Sequence, residues 1–129
     1  LILGILIPRM TAPWWPDTPR GFRMGRMLSY SLVVLWDIIV ANIEVAWIVI
    51  TVPNARLRPA WVVVPLELTQ PEAITVLAGT ITLTPGTVSA DLSDAGHSLL
   101  VHVLHTDDPD AVVADIKTRY ERRLMEIFT

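Results

Sequence analysis

MLSYSLVVLWDIIVANIEVAWIVITV, residues Met27 to Val52, is a long apolar run with Asp37, Asn42 and Glu44 set inside it. As a helix rising ~1.5 Å per residue, the run reaches roughly 39 Å, enough to cross a hydrocarbon core of ~30 Å with tilt. Carboxylates near the middle of such a segment are expensive in lipid and require partners, interfacial water or an ion path. Asp37, Ala41 and Glu44 form a narrow stripe, the latter two within about 40° of Asp37 on a helical wheel, whereas Asn42 points ~140° away. Trp36 and Trp47 share a second stripe only ~16 Å apart, too close to mark both faces of a bilayer. A span wedged against membrane subunits and a helix lying along the interface both fit this pattern.

Composition agrees with a membrane setting. The 129 residues are 52% hydrophobic with a mean hydropathy of +0.49, above an ordinary soluble domain and below a pure membrane bundle. A net charge of −3 without a basic, aromatic-interleaved patch argues against a nucleic-acid partner. The lack of cysteine excludes disulfides and thiolate metal sites within this sequence.

Outward from the central run, residues 1–8 (LILGILIP) are too short to span a bilayer and are expected to be the end of a longer transmembrane helix. Residues 9–26 read as a linker rich in proline, arginine and tryptophan, in which the Trp14–Trp15 pair suits either the membrane–water interface or a protein surface. Arg9, Arg20, Arg23 and Arg26 place this linker on the cytoplasmic side by the positive-inside rule. Residues 27–52 are then a membrane-embedded or interfacial helix, and 53–59, with Arg56 and Arg58 between prolines, a second linker. Arginines at both ends leave little charge asymmetry in favour of a crossing.

From residue 60 the periodicity changes, and 60–129 is expected to be a small βαββα domain. Ala60–Leu68 is rich in β-formers, with Pro65 marking an edge position or a bulge. Thr69 to Glu72 has capping-box spacing, and the helix that follows would bury Ile74, Leu77, Ala78 and Ile81. The alternation Thr80 to Leu83 could instead end that helix early and begin a strand. Thr84-Pro85-Gly86-Thr87 predicts a type II turn, with proline presetting φ and glycine accepting φ > 0. Val88–Leu92 and Ser98–His105 read as an antiparallel hairpin. Asp107-Asp108-Pro109 opens a helix that should bury Val112, Val113, Ile116, Tyr120, Leu124 and Ile127.

No motif supports catalysis. On a strand His102 and His105 face opposite sides, so they cannot chelate one ion together, and His97 stands apart. There is no nucleophile elbow, no phosphate-binding glycine loop and no calcium-loop spacing around Asp107, Asp108 and Asp110. No catalytic, cofactor-binding or metal-ligating residue is therefore expected, and no cofactor. The candidate sites are the intramembrane polar contacts Asp37, Asn42 and Glu44, and the turn Thr84, Pro85, Gly86, Thr87.

Several of these stretches carry a family likeness. Asp37 with Ala41 to Ala46, Leu57-Arg58-Pro59, Ile81 to Thr87 (ITLTPGT), Val101-His102-Val103 and the closing helix with Glu121, Leu124, Met125 and Glu126 resemble the E subunits of the Mrp-type (Mnh, Pha) multisubunit sodium/proton antiporters. The likeness covers essentially the whole chain, although family members usually begin with further apolar sequence. It implies a non-enzymatic accessory or assembly component of a multisubunit complex, itself a multi-pass protein of the bacterial plasma membrane. Its partners would be other antiporter subunits and membrane lipid, with Na+ and H+ carried by the complex and its ion path in larger subunits. It also implies a cytoplasmic βαββα domain, and hence a non-crossing or interfacial helix. A membrane-tethered binding module that recruits a soluble partner is the alternative.

Overall fold

The computed structural model describes residues 6–7, 9–10 and 23–128. Residues 6–7 and 9–10 are helical, so the expected linker is helical where it starts; the rest of 1–22, including the Trp14–Trp15 pair, lies outside the described residues. Helix α1, Met24–Thr51, begins three residues before the expected Met27 and ends one before Val52. A single 3-10 turn, Asn54–Arg56, separates it from the domain.

The domain is α+β, in the order β1 (Ala60–Pro65), α2 (Pro71–Leu83), β2 (Thr87–Leu92), β3 (Ser98–Val103) and α3. Helix α3 runs as Pro109–Asp115, a π-helical stretch Ile116–Glu121 and a final Arg122–Phe128. The sheet is antiparallel throughout, in the order β1-β3-β2, with Trp61 opposite His102 and Val62 opposite Val101. One sheet face, carrying Val62, Val64, Leu99, Val101 and Val103, packs into a core with Leu77 and Ile81 of α2 and Ile116, Leu124 and Ile127 of α3. The other face leaves Trp61 and Val63 exposed.

Two local expectations need correcting, and one alternative is decided in favour of the expected helix. Strand β1 stops at Pro65, not Leu68, because the Glu67 and Leu68 amides donate to Glu121 Oε1 at 2.6 and 3.2 Å instead of to a neighbouring strand. Pro65 is tolerated because β1 is an edge strand. The capping box does not form: α2 is capped at Gln70 without a side-chain hydrogen bond, and Pro71 supplies the preset φ of its first turn. The stretch Thr80 to Leu83 stays helical, burying Thr80 and Ile81, and Thr84 Oγ1 donates to the Thr80 carbonyl at 3.0 Å.

The turn forms as its chemistry dictates. Gly86 has φ +89°, and the Thr87 amide donates to the Thr84 carbonyl at 3.3 Å, closing a type II turn. At the start of α3, Asp108 Oδ1 accepts from the Asp110 and Ala111 amides at 3.1 Å each. Ile116, Tyr120, Leu124 and Ile127 are buried as expected, Val112 and Val113 are only partly buried, and Glu121 and Phe128 join the buried side of α3.

Helix α1 does not project away from this domain. Arg26 Nη1 meets Glu126 Oε2 at 3.3 Å near its start, and the Tyr30 hydroxyl shares a 2.7 Å hydrogen bond with Thr80. Further along, Val45 Cγ2 lies 3.1 Å from where a Cβ on Gly86 would stand. Arg26 to Val45 is roughly 28 Å of helix, so the domain is strapped along most of its length.

Candidate functional site

The seam between α1 and the domain gathers most of the polar chemistry that the sequence singles out. Asp37 is buried although it belongs to the apolar run, because the π-helical stretch of α3 brings two donors to it. Arg119 Nε donates to Asp37 Oδ2 at 2.7 Å, and its Nη2 also binds Asp37 Oδ1, giving a two-pronged guanidinium–carboxylate pair. The Tyr120 hydroxyl adds a third donor to Oδ2 at 3.0 Å. A π turn re-aims side chains relative to an α-helix. Here consecutive Arg119 and Tyr120 both reach one carboxylate, while Tyr120 also sets its ring edge-on to Tyr30 at 6.5 Å.

The electrostatics follow from these contacts. The Asp37 carboxylate holds the Arg119 guanidinium protonated well beyond its ordinary range, against a smaller opposing effect of burial. Burial, reinforced by the hydrogen bond to Asp37, pushes the Tyr120 phenol up to about 12. Both groups therefore keep their protons as donors at neutral pH.

A cavity of 340 Å³ opens beside this pair. Glu44 lines it from α1, Asp115, Arg119 and Tyr120 line it from α3, and Thr84 and Thr87 line it from the turn. The Thr87 hydroxyl donates to the Ile81 carbonyl at 2.7 Å, fixing the turn against the end of α2. Asp37, Glu44 and the turn thus meet at one place. Asn42 does not join them: its Nδ2 donates back to the Ile38 carbonyl at 2.7 Å on another side of the helix.

A second polar cluster is structural in character. Glu121 is buried; besides the two amides, its Oε2 accepts from Lys117 Nζ at 2.8 Å, and Lys117 also reaches Glu67 at 3.0 Å and the Pro65 carbonyl at 2.8 Å. Burial works against the Lys117 charge, but the two glutamates outweigh it and raise the Lys117 pKa. This clasp pins the exit of β1 to α3.

The histidines remain apart. His102 packs edge-on against Trp61 at 4.8 Å, and His105 Nδ1 accepts the Arg58 amide at 3.0 Å. Among the described residues no three His, Cys, Asp or Glu side chains are placed to hold a metal ion. The sequence pattern does not give the partners of Asp37. It places Tyr120 in a buried stripe, and Arg119 beside it is the one signal that points to the pair.

A buried carboxylate paired with an arginine holds one helix, long and apolar enough to cross a membrane, against a small α+β unit. A family model described as Na+/H+ ion antiporter subunit matches residues 1–127. The Na(+)/H(+) antiporter E subunit of Alkalihalophilus pseudofirmus is 34% identical over 81% of this chain, a match spanning 66% of that relative. The probable K(+)/H(+) antiporter E subunit of Rhizobium meliloti is 30% identical over 99% of this chain and 79% of its own length. Among solved structures, a chain of the Mrp complex from Dietzia sp. is 25% identical, with a TM-score of 0.59 over 79% of this chain and 96% of that one. A chain of the membrane-bound sulfane sulfur reductase, an archaeal respiratory membrane complex, is 28% identical, with a TM-score of 0.72 over 98% of this chain and 83% of that one. The chain belongs to the Na+/H+ antiporter subunit family, and its named relatives are E subunits.

Proposed function

We propose that this chain is an accessory subunit that stabilises a multisubunit cation/proton antiporter, with its α+β domain on the cytoplasmic face. It contributes to sodium export and pH homeostasis without carrying the main ion path. The observation that carries this reading is the closure of Asp37 by Arg119 and Tyr120 of the same chain. A carboxylate that accepts three hydrogen bonds, two from a guanidinium, is a poor site for binding and releasing a cation on every cycle. The shared fold supports the same reading, since a similar chain occurs in a respiratory reductase complex whose chemistry differs.

The test substitutes Asp37→Asn and Glu44→Gln in the full complex. The expected result is less complex recovered from membranes, with sodium-dependent proton movement per recovered complex in vesicles little changed. Normal recovery with lost proton movement would overturn the proposal. A second reading, a membrane-tethered binding module, draws on the exposed Trp61 and Val63 of the outer sheet face. Mild-detergent extraction and native gels separate the two: an antiporter component migrates with several very apolar chains, and a tethered module runs small.

A further inference from the structure

Helix α1 is long and apolar enough to cross a membrane, with a mean hydropathy of 2.1 over its most apolar window. Its packing argues for a different placement. The domain covers one side of α1 from Arg26 to Val45, and the opposite side exposes Leu28, Leu32, Leu35, Ile39, Ile43 and Ile50. On a helical wheel these six fall within about 80° of one another, roughly opposite Asp37. If α1 crossed the bilayer, the strapped domain would occupy the same depth. The Asp37–Arg119 pair at the middle of α1, with its half-exposed guanidinium, and the charged surface of α3 around it would then lie in hydrocarbon, at about 2.5–3.5 kcal/mol for each charge near the midplane.

We infer that α1 lies along the membrane surface, its apolar stripe sunk into the boundary between headgroups and acyl chains and the domain riding on its back. A helix held this way sinks its apolar face about 5–10 Å. Trp36 and Trp47, both exposed, fall together on one flank of the stripe, where indoles of a flat helix meet the headgroup layer. Ser31 and Asn42 lie on the other flank, and their hydroxyl and amide donate to the Met27 and Ile38 carbonyls at 2.9 and 2.7 Å, which lowers their cost in an apolar layer. Glu44 falls on the domain side, at the cavity, away from the stripe. Arg23 before the helix and Arg56 after it can both meet anionic headgroups at one level only if the helix lies flat. The inference rests on the membrane location that the relatives imply, and it deepens the proposed function by naming lipid as the occupant of this face.

The experiment uses the full chain in its complex. The sequence has no cysteine, so Arg23→Cys and Asn54→Cys place single thiols at exposed positions just outside the two ends of α1. A membrane-impermeant maleimide applied to sealed inside-out vesicles should label both at comparable rates. Labelling of only one until the vesicles are permeabilised would overturn the flat placement. Spin labels at Leu32→Cys and Ile43→Cys identify what covers the stripe. Frequent collision with oxygen and little with a nickel chelate is expected of lipid, whereas low collision with both means another protein chain covers it and overturns the assignment. Retention of the chain on native gels is scored separately. Opposite-side labelling of a retained chain therefore defeats this inference alone, and a chain never retained defeats the accessory-subunit reading.

Discussion

Asp37 and Arg119, 82 residues apart in sequence, form a two-pronged ion pair that fixes the middle of α1 to the domain. Because Asp37 is buried and Arg119 is 48% exposed on its side chain, the pair is neither a surface bridge worth a few tenths of a kcal/mol nor a fully desolvated one. Arg119→Ala is expected to destabilise the chain by about 2 kcal/mol, because it leaves a buried carboxylate with Tyr120 as its remaining donor. A double-mutant cycle with Asp37→Asn and Arg119→Gln, read by unfolding in detergent, should return a coupling above about 1 kcal/mol. Additive losses would show that the helix is held by apolar packing alone.

Glu121 is buried and serves three donors at once. Its removal leaves the Glu67 and Leu68 amides without their acceptor and frees Lys117 from its buried partner. Glu121→Ala should cost about 3 kcal/mol. Amide exchange at residues 67 and 68 should rise more than in the β3 ladder, and uniform loosening of the whole domain would contradict the clasp.

Alkaline pH reports on the seam. The folded state holds the Tyr120 proton up to about 12, against 10.0 for an ordinary phenol. The associated stability is complete below pH 10 and is lost as pH climbs toward 12, because the unfolded chain releases this proton first. Denaturant unfolding across that interval should show falling stability. Tyr120→Phe should make the decline shallower while lowering stability at neutral pH through loss of the hydrogen bond to Asp37.

Gly86 couples the turn to the helix. Its φ of +89° disfavours any side chain, and an added Cβ would stand 3.1 Å from Val45 Cγ2. Gly86→Ala should cost about 1–2 kcal/mol from the backbone alone, with a further loss from crowding against α1. Adding Val45→Ala should recover only the crowding part, as measured by Tm.

The order of elements in the domain is legible in local chemistry. Gly86 after Pro85 dictates the type II turn, Asp108 before Pro109 dictates a capped helix, and the change from helical to alternating periodicity after Pro59 coincides with the start of β1 at Ala60. The seam is less legible. Asp37 is conspicuous as a charge in an apolar run, but α1 itself offers it no basic partner, and the one it finds lies on α3. Only the π-helical stretch brings Arg119 and Tyr120 to one carboxylate together, and no residue between Ile116 and Glu121 announces a π turn. The same holds for β1: Glu67 and Leu68 continue the strand pattern, yet their amides are taken by Glu121, a residue 54 positions from Glu67.

The sequence distance across the Asp37–Arg119 pair also sets a timetable. Chains are synthesised at about 5–20 residues per second, so the 82 residues between these partners take roughly 4–16 s to make. For most of that interval, once Thr51 is made, α1 is finished and its future clamp does not exist. A nascent helix with a bare carboxylate and a broad apolar side must be received by a lipid surface or a chaperone before its own last helix arrives. Truncating the nascent chain before α3 should therefore release α1 from the arrangement seen here and hand its fate to whatever meets it first.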